Sequence, residues 1–325
     1  MTKDHRLFKI TLIYIIFAFA LLIGISLGSL RIGLVDVIKA IFFESEGLNH
    51  AIIYNVRLPR NLIAALVGIN LALAGVTLQG VMNNPLADPG IIGISSGAAL
   101  MAFVIMILFP NYAYLVPIGA FIGALCTTML IYSLAWKNGI SPVRLILSGV
   151  AVSAFLGAGI NILMTFYPER VTGGLSFMIG GLSGKTWPDM SLIWPYTLIS
   201  GTLCVFLSHQ INMLQLGDEV ATGLGVRVER MRTFFIILSA LLAASAVSVA
   251  GLLGFVGLIV PHIARLLVGS DYRYLYPATI GLGGAVLVGC DTLARMLFDP
   301  IELPVGIIMA VLGAPFFLYL LREKK

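Results

Sequence analysis

The side chains with useful chemistry in this chain are few, and most are arginines. Arg57 and Arg60 stand three residues apart, which puts them on one face of a helix end. Asp291 and Arg295 stand one helical turn apart, close enough to neutralise each other. Asp291 is the one acid inside an apolar stretch, where acids are costly and are functional candidates by default; pairing with Arg295 is its simpler use. Basic residues at the ends of apolar runs also snorkel towards lipid headgroups. Bond-making chemistry has no comparable foothold. There is no GxxxxGK[ST], no HExxH, no CxxC and no paired-carboxylate cluster, so no nucleotide-cradling loop, protease site or proton-pump constellation is expected. His5, His50, His209 and His262 are scattered, and neither a metal site nor a resident cofactor is expected. Cys126, Cys204 and Cys290 lie in apolar segments and suit packing, not a disulfide framework.

The elements that position these residues follow from composition. Of the 325 residues, 59% are hydrophobic and 11% charged, and the mean hydropathy is +1.02. A soluble domain carries about 25% charge, so this chain cannot cover a water-facing surface. Period-2 alternation is absent, which argues against a transmembrane barrel. The expectation is an all-α, polytopic membrane protein forming one transmembrane domain over 1–325. With about 20 apolar residues per span, ten spans are predicted near 11–30, 61–80, 91–109, 115–135, 143–166, 191–208, 233–252, 254–268, 277–297 and 304–321. Lys3, Arg6 and Lys9 precede the first run as in a signal peptide. That run is long for one and lacks a small-x-small cleavage site, so it reads as a retained span. The eighth span is short, with Gly254, Gly257 and Pro261 as expected breaks. An amphipathic piece at 35–45, VDVIKAIFFES, suits an interfacial helix.

Ten spans place both termini on one side of the membrane. If that side is the cytoplasm, it holds 13 of the 20 lysines and arginines and the outer side 7, as the positive-inside rule requires. The net charge of +5 is spread over span ends, so it indicates membrane orientation and no nucleic-acid partner. The longest internal run that cannot enter hydrocarbon is Gln210–Arg232, QINMLQLGDEVATGLGVRVERMR. It falls on the cytoplasmic side. Its apolar residues are spaced for one or two short amphipathic helices, with Gly217, Gly223 and Gly225 as breaks.

Five stretches, in order, resemble the FecCD family of ABC importer permeases, which carry iron-siderophore, haem and cobalamin ligands. They are RLPRNLIAALVGINLALAGVTLQGVMNNPLADPGIIGISSGA from Arg57, FMIGGLSGKTW from Phe177, LGDEVATGLGV from Leu216, GLLGFVGLIVPHIARLLVGSDYR from Gly251 and DTLARMLFDPIELPVGIIMAVLGAPFF from Asp291. The resemblance implies a type II ABC importer permease fold in a bacterial cytoplasmic membrane. It also implies a second permease subunit, identical or paralogous, a cytoplasmic ATPase dimer, and an extracellular or periplasmic substrate-binding protein. On this resemblance Arg57, Arg60 and Arg295 would dock the binding protein through charge pairs. Leu216, Gly217, Asp218, Glu219, Ala221, Leu224, Gly225 and Val226 would form the coupling element on the ATPase. The translocation path would run past Ala74, Thr77 and Gln79, and near the mouth at 173–184. Asn83, Asn84 and Pro85 would stand at the inner gate, where Pro85 and Pro89 also end one helix and set the next. An iron-siderophore-like chelate is the expected cargo, with cobalamin or haem as alternatives inside the family. The rival from another class is a secondary transporter driven by an ion gradient; Asp291 alone favours it, and the polar hub opposes it.

Overall fold

Apolar segments in lipid must satisfy their backbone internally, which a helix does within one segment. The computed structural model describes residues 3–28, 33, 37, 39, 47–137, 139 and 142–323. Its helices are α1 (Lys3–Ser26), α2 (Leu48–Val81), α3 (Ile94–Leu108), α4 (Val116–Ala135), α5 (Pro142–Phe166), α6 (Val171–Ile179), α7 (Trp187–Phe206), α8 (Ser208–Leu214), α9 (Asp218–Gly223), α10 (Val228–Ala250), α11 (Val256–Val268), α12 (Tyr272–Met296) and α13 (Val305–Glu323). Over the described residues each stretch expected to span overlaps one or more of these helices, but ten separate crossings are not established by their lengths. Six (α1, α2, α4, α5, α10 and α12) are long and apolar enough to cross a bilayer; α7 and α8, bent by 59°, make a seventh if taken together. Helices α3, α11 and the apolar part of α13 are shorter. The amphipathic piece expected at 35–45 lies almost wholly outside the described residues.

Helix α2 is the centre of the bundle. Its most apolar window is 83% buried, against 22% for α5, and α12, α10, α11, α7 and α8 all pack around it. Small residues make this possible, because they let backbones approach closely. A Cβ on Gly75 would collide with the Gly257 carbonyl, so α2 and the start of α11 meet backbone to backbone. One turn further along α2, Gln79 donates from Nε2 to that same Gly257 carbonyl at 3.0 Å. The reason lies in α11: Pro261 has no N–H, so the carbonyl four residues earlier, on Gly257, lacks its helical donor. Gln79 supplies it.

Pro261 therefore sits inside a continuous α11, and the expected break falls earlier, in the non-helical 251–254 segment. That segment is held by Leu252 N–H donating to the Phe177 carbonyl and by Gly181 N–H donating to the Ala250 carbonyl. Helix α5 shows the opposite pattern to α2. Its Leu147, Val150, Phe155, Ile162 and Phe166 are exposed, an apolar face for lipid or for a second subunit.

An arginine cluster at one end and a polar hub at the other

The last carbonyls of any helix lack intrahelical donors and favour nearby cations. At the C-terminus of α1 two arginines fill that role. Arg57, in a π-helical turn over Ile53–Arg57 within α2, donates from Nη1 to the Ile25 and Ser26 carbonyls, both at 2.9 Å. Arg295 donates from Nη2 to the Gly24 carbonyl at 3.0 Å and from Nη1 to the Leu27 carbonyl at 3.1 Å. Arg60, one turn into α2 from Arg57, forks onto Asp291, with Nη2 to Oδ1 at 3.0 Å and Nε to Oδ2 at 3.1 Å. Arg295 Nε reaches the same carboxylate at 3.2 Å. The free corner of Arg60, Nη1, meets Glu302 Oε2 at 2.7 Å.

This placement alters the expectation for the three docking arginines. Each is 5–7% exposed, and Asp291 is 1% exposed. They are not free rim charges in this structure; Arg57 and Arg295 cap α1, and Asp291 binds Arg60 and Arg295 together. The i, i+4 pairing of Asp291 with Arg295 was legible in the spacing. The Arg60 pairing across 231 residues of sequence was not, nor was Glu302, which lies in the quoted ELPVG stretch. Arg60 and Glu302 line a cavity of about 320 Å³ together with Ser176, Ser183 and Lys185. The stretch 173–184, expected at the mouth, supplies one wall of it.

The path residues on α2 are placed otherwise. Ala74 and Thr77 are fully buried and Gln79 is 1% exposed. Thr77 hydrogen-bonds the Tyr276 hydroxyl at 3.1 Å, and Gln79 holds Gly257. The Thr77 and Gln79 contacts lie within the subunit, where α7, α8, α10, α11 and α12 pack around α2. Asn83, Asn84 and Pro85 form the turn that ends α2. Asn83 takes a left-handed φ of 48°, and the Asn84 side chain accepts from Leu86 N–H at 3.0 Å.

At the opposite end lies the polar hub. Gly217, with φ of 95°, permits the sharp entry into α9. Ala221 is buried and Val226 nearly so, while Leu216 and Leu224 are each 58% exposed and Val220 is 51% exposed. Gly223 is the last residue of α9, and Gly225, with φ of 85°, makes the turn that follows. Arg232 of α10 holds α9 through Asp218 at 2.8 Å and pairs with Glu229 of its own helix at 3.4 Å. Helix α8 bolts it to the core: Ile211 packs on Gly80 of α2, and Asn212 both donates to Asp271 and accepts from Tyr272 N–H. The Arg273 guanidinium beside Asp271 holds that carboxyl down, to about 2. Arg6 and Lys9 of α1 reach this same end, against Asp271 and the Leu267 carbonyl. Among the described residues no group of three His, Cys, Asp or Glu side chains is arranged to hold a metal.

The chain is thus a bundle of apolar helices with an ion-paired arginine cluster at one end and an exposed, core-linked polar element at the other, an arrangement that suits a membrane transport subunit. The profile of the FecCD transport family matches residues 15–323, and the chain belongs to that family. It is 40% identical to the Fe(3+)-citrate import system permease protein YfmE of Bacillus subtilis, over 99% of this chain and 98% of that one. It is 37% identical to the hemin transport system permease protein HmuU of Yersinia pestis, over 95% of each. A solved inward-facing conformation of a metal-chelate type ABC transporter superposes with a TM-score of 0.87 at 29% identity, covering 97% of this chain and 98% of that one. Other relatives are named for hydroxamate and cobalamin import. The chain is therefore a membrane-embedded permease subunit of an ABC importer, a transport component and not an enzyme. Family membership brings an ATPase, a substrate-binding protein and a permease dimer as partners, and it removes the ion-gradient transporter as a reading.

Proposed function

We propose that this permease carries an iron chelate of the siderophore type across a bacterial cytoplasmic membrane, as one transmembrane domain of a dimer with an identical or paralogous copy. Support for the cargo comes from relatives named for iron-citrate, hydroxamate and siderophore import. The hub faces the cytoplasm together with both termini. The distribution of lysine and arginine supports this, as do Arg6 and Lys9 reaching the hub end of the bundle. The arginine end then faces outward and receives the binding protein at Arg57, Arg60 and Arg295. The path runs from the cavity beside the 173–184 segment and down the subunit interface. The Asn83–Pro85 turn is an inner-gate candidate at the hub end.

The observation that carries this reading is the hub's exposed Leu216, Val220 and Leu224, on an element whose other face is fixed to α2, α10 and α12. An apolar patch on a rigid lever suits an ATPase groove, and the link to α2 gives ATP-driven closure a route into the bundle. Of the residues assigned to coupling, Leu216 and Leu224 would contact the ATPase. Gly217, Ala221, Gly225 and Val226 shape the element, and Asp218 and Glu219 lead its short helix. Replacing Leu216 and Leu224 by Asp is expected to abolish co-purification of the ATPase while the permease still folds. Retention of the ATPase by that variant would refute the assignment.

A further inference from the structure

Two carboxylates hold Arg60, and they differ in kind. Asp291 takes the Nε and Nη2 edge in a buried fork, with its side chain 1% exposed. Glu302 takes Nη1 alone, and its side chain is 40% exposed. Asp291 lies within α12, whereas Glu302 sits on the turn between α12 and α13, where Leu297, Phe298 and Ile301 are also exposed. Leu303, the next residue, is pinned by its N–H to the Ala294 carbonyl. Glu302 can thus leave Arg60 by side-chain rotation without moving the helices. The cavity of about 320 Å³ lies directly against both groups.

We propose that Glu302 is a displaceable internal carboxylate. It occupies the outward corner of Arg60 until an acidic side chain of the substrate-binding protein takes its place. The inference rests on the reading of Arg60 as a docking residue, and it explains how an arginine only 7% exposed can serve there. Docking exchanges one charge-assisted hydrogen bond for another of the same type. The guanidinium stays fixed by Asp291 throughout, so the incoming carboxylate meets a preorganised partner. Glu302 meanwhile returns to water, where an exposed carboxylate is well solvated. The net gain from the contact is small by design, which suits a binding protein that must leave after each delivery.

The test uses the permease–ATPase complex in nanodiscs, titrated with chelate-loaded binding protein. Glu302→Gln keeps a hydrogen-bond acceptor but removes the charge that competes for Arg60. It is expected to tighten binding about fivefold, the scale of one partly exposed ion pair. Glu302→Ser, which cannot reach Arg60, is expected to tighten it at least as much. Arg60→Gln should weaken binding, and Glu302→Gln should add nothing in that background. If Arg60→Gln leaves affinity unchanged, the docking role itself fails. If Arg60→Gln weakens binding but neither Glu302 variant tightens it, only the exchange is overturned. A gain from Glu302→Gln that persists without Arg60 also overturns it, since Glu302 would then repel the partner directly.

Discussion

Replacing Asp291 by Asn tests whether the arginine cluster is held by one shared carboxylate. Asp291 receives Arg60 at 3.0 and 3.1 Å and Arg295 at 3.2 Å, all within a site where the three side chains are almost fully enclosed. Removing one partner of a buried ion pair costs about 3–5 kcal/mol, because the remaining charge stays buried without compensation. Glu302 still serves Arg60 and the α1 carbonyls still serve Arg295, which places the expected cost near the lower end, at about 3 kcal/mol. Against a total stability of about 5–15 kcal/mol, that is a large fraction. Denaturant unfolding of the detergent-solubilised permease, followed by tryptophan fluorescence, would measure it. Adding Arg60→Met to Asp291→Asn removes one of the uncompensated charges, so the double variant should be no less stable than Asp291→Asn alone. A cost below about 1 kcal/mol, or two costs that simply add as for independent sites, would refute the shared-carboxylate account.

Further outcomes follow from the packing. Gly75→Ala places a methyl group into the Gly257 carbonyl and is expected to cost about 1–3 kcal/mol or more by overpacking. Gly254→Ala, with open space around its Cβ, should be neutral in the same denaturant-unfolding assay. Val226→Ala removes buried contact from the hub and is expected to lower stability by about 1 kcal/mol, with coupling of ATP hydrolysis to uptake retained. Leu224→Asp should show the reverse, normal stability with lost coupling.

The helical skeleton was readable because hydropathy and span length leave one solution for chains of this composition. The hub was readable for the same reason, since Asp218, Glu229, Arg230 and Arg232 cannot enter hydrocarbon. Spacing also exposed the Asp291–Arg295 pair, because i, i+4 neighbours meet on any helix. What spacing cannot show is which face of a helix lies inward when every face is apolar. Helix α2 illustrates this: nothing in its spacing shows that Ala74, Thr77 and Gln79, which the family resemblance sets along the path, are buried within the subunit. Pro261 misled in a related way, since a missing N–H breaks a helix only if nothing else satisfies the freed carbonyl, and Gln79 does so from 178 residues away in sequence. Arg57 illustrates the limit for charges. Among the described residues it donates to backbone carbonyls of α1, which carry no sequence signature.

The central claim is that this chain moves an iron chelate using ATP hydrolysed by a separate subunit. The most direct measurement is uptake of radiolabelled ferric chelate into proteoliposomes containing the permease with its ATPase, binding protein supplied on the outward face. Accumulation that requires both ATP and the ATPase, and stops when the hub carries Leu216→Asp and Leu224→Asp, is the predicted result. Accumulation driven by a proton or sodium gradient with the ATPase omitted would contradict the account.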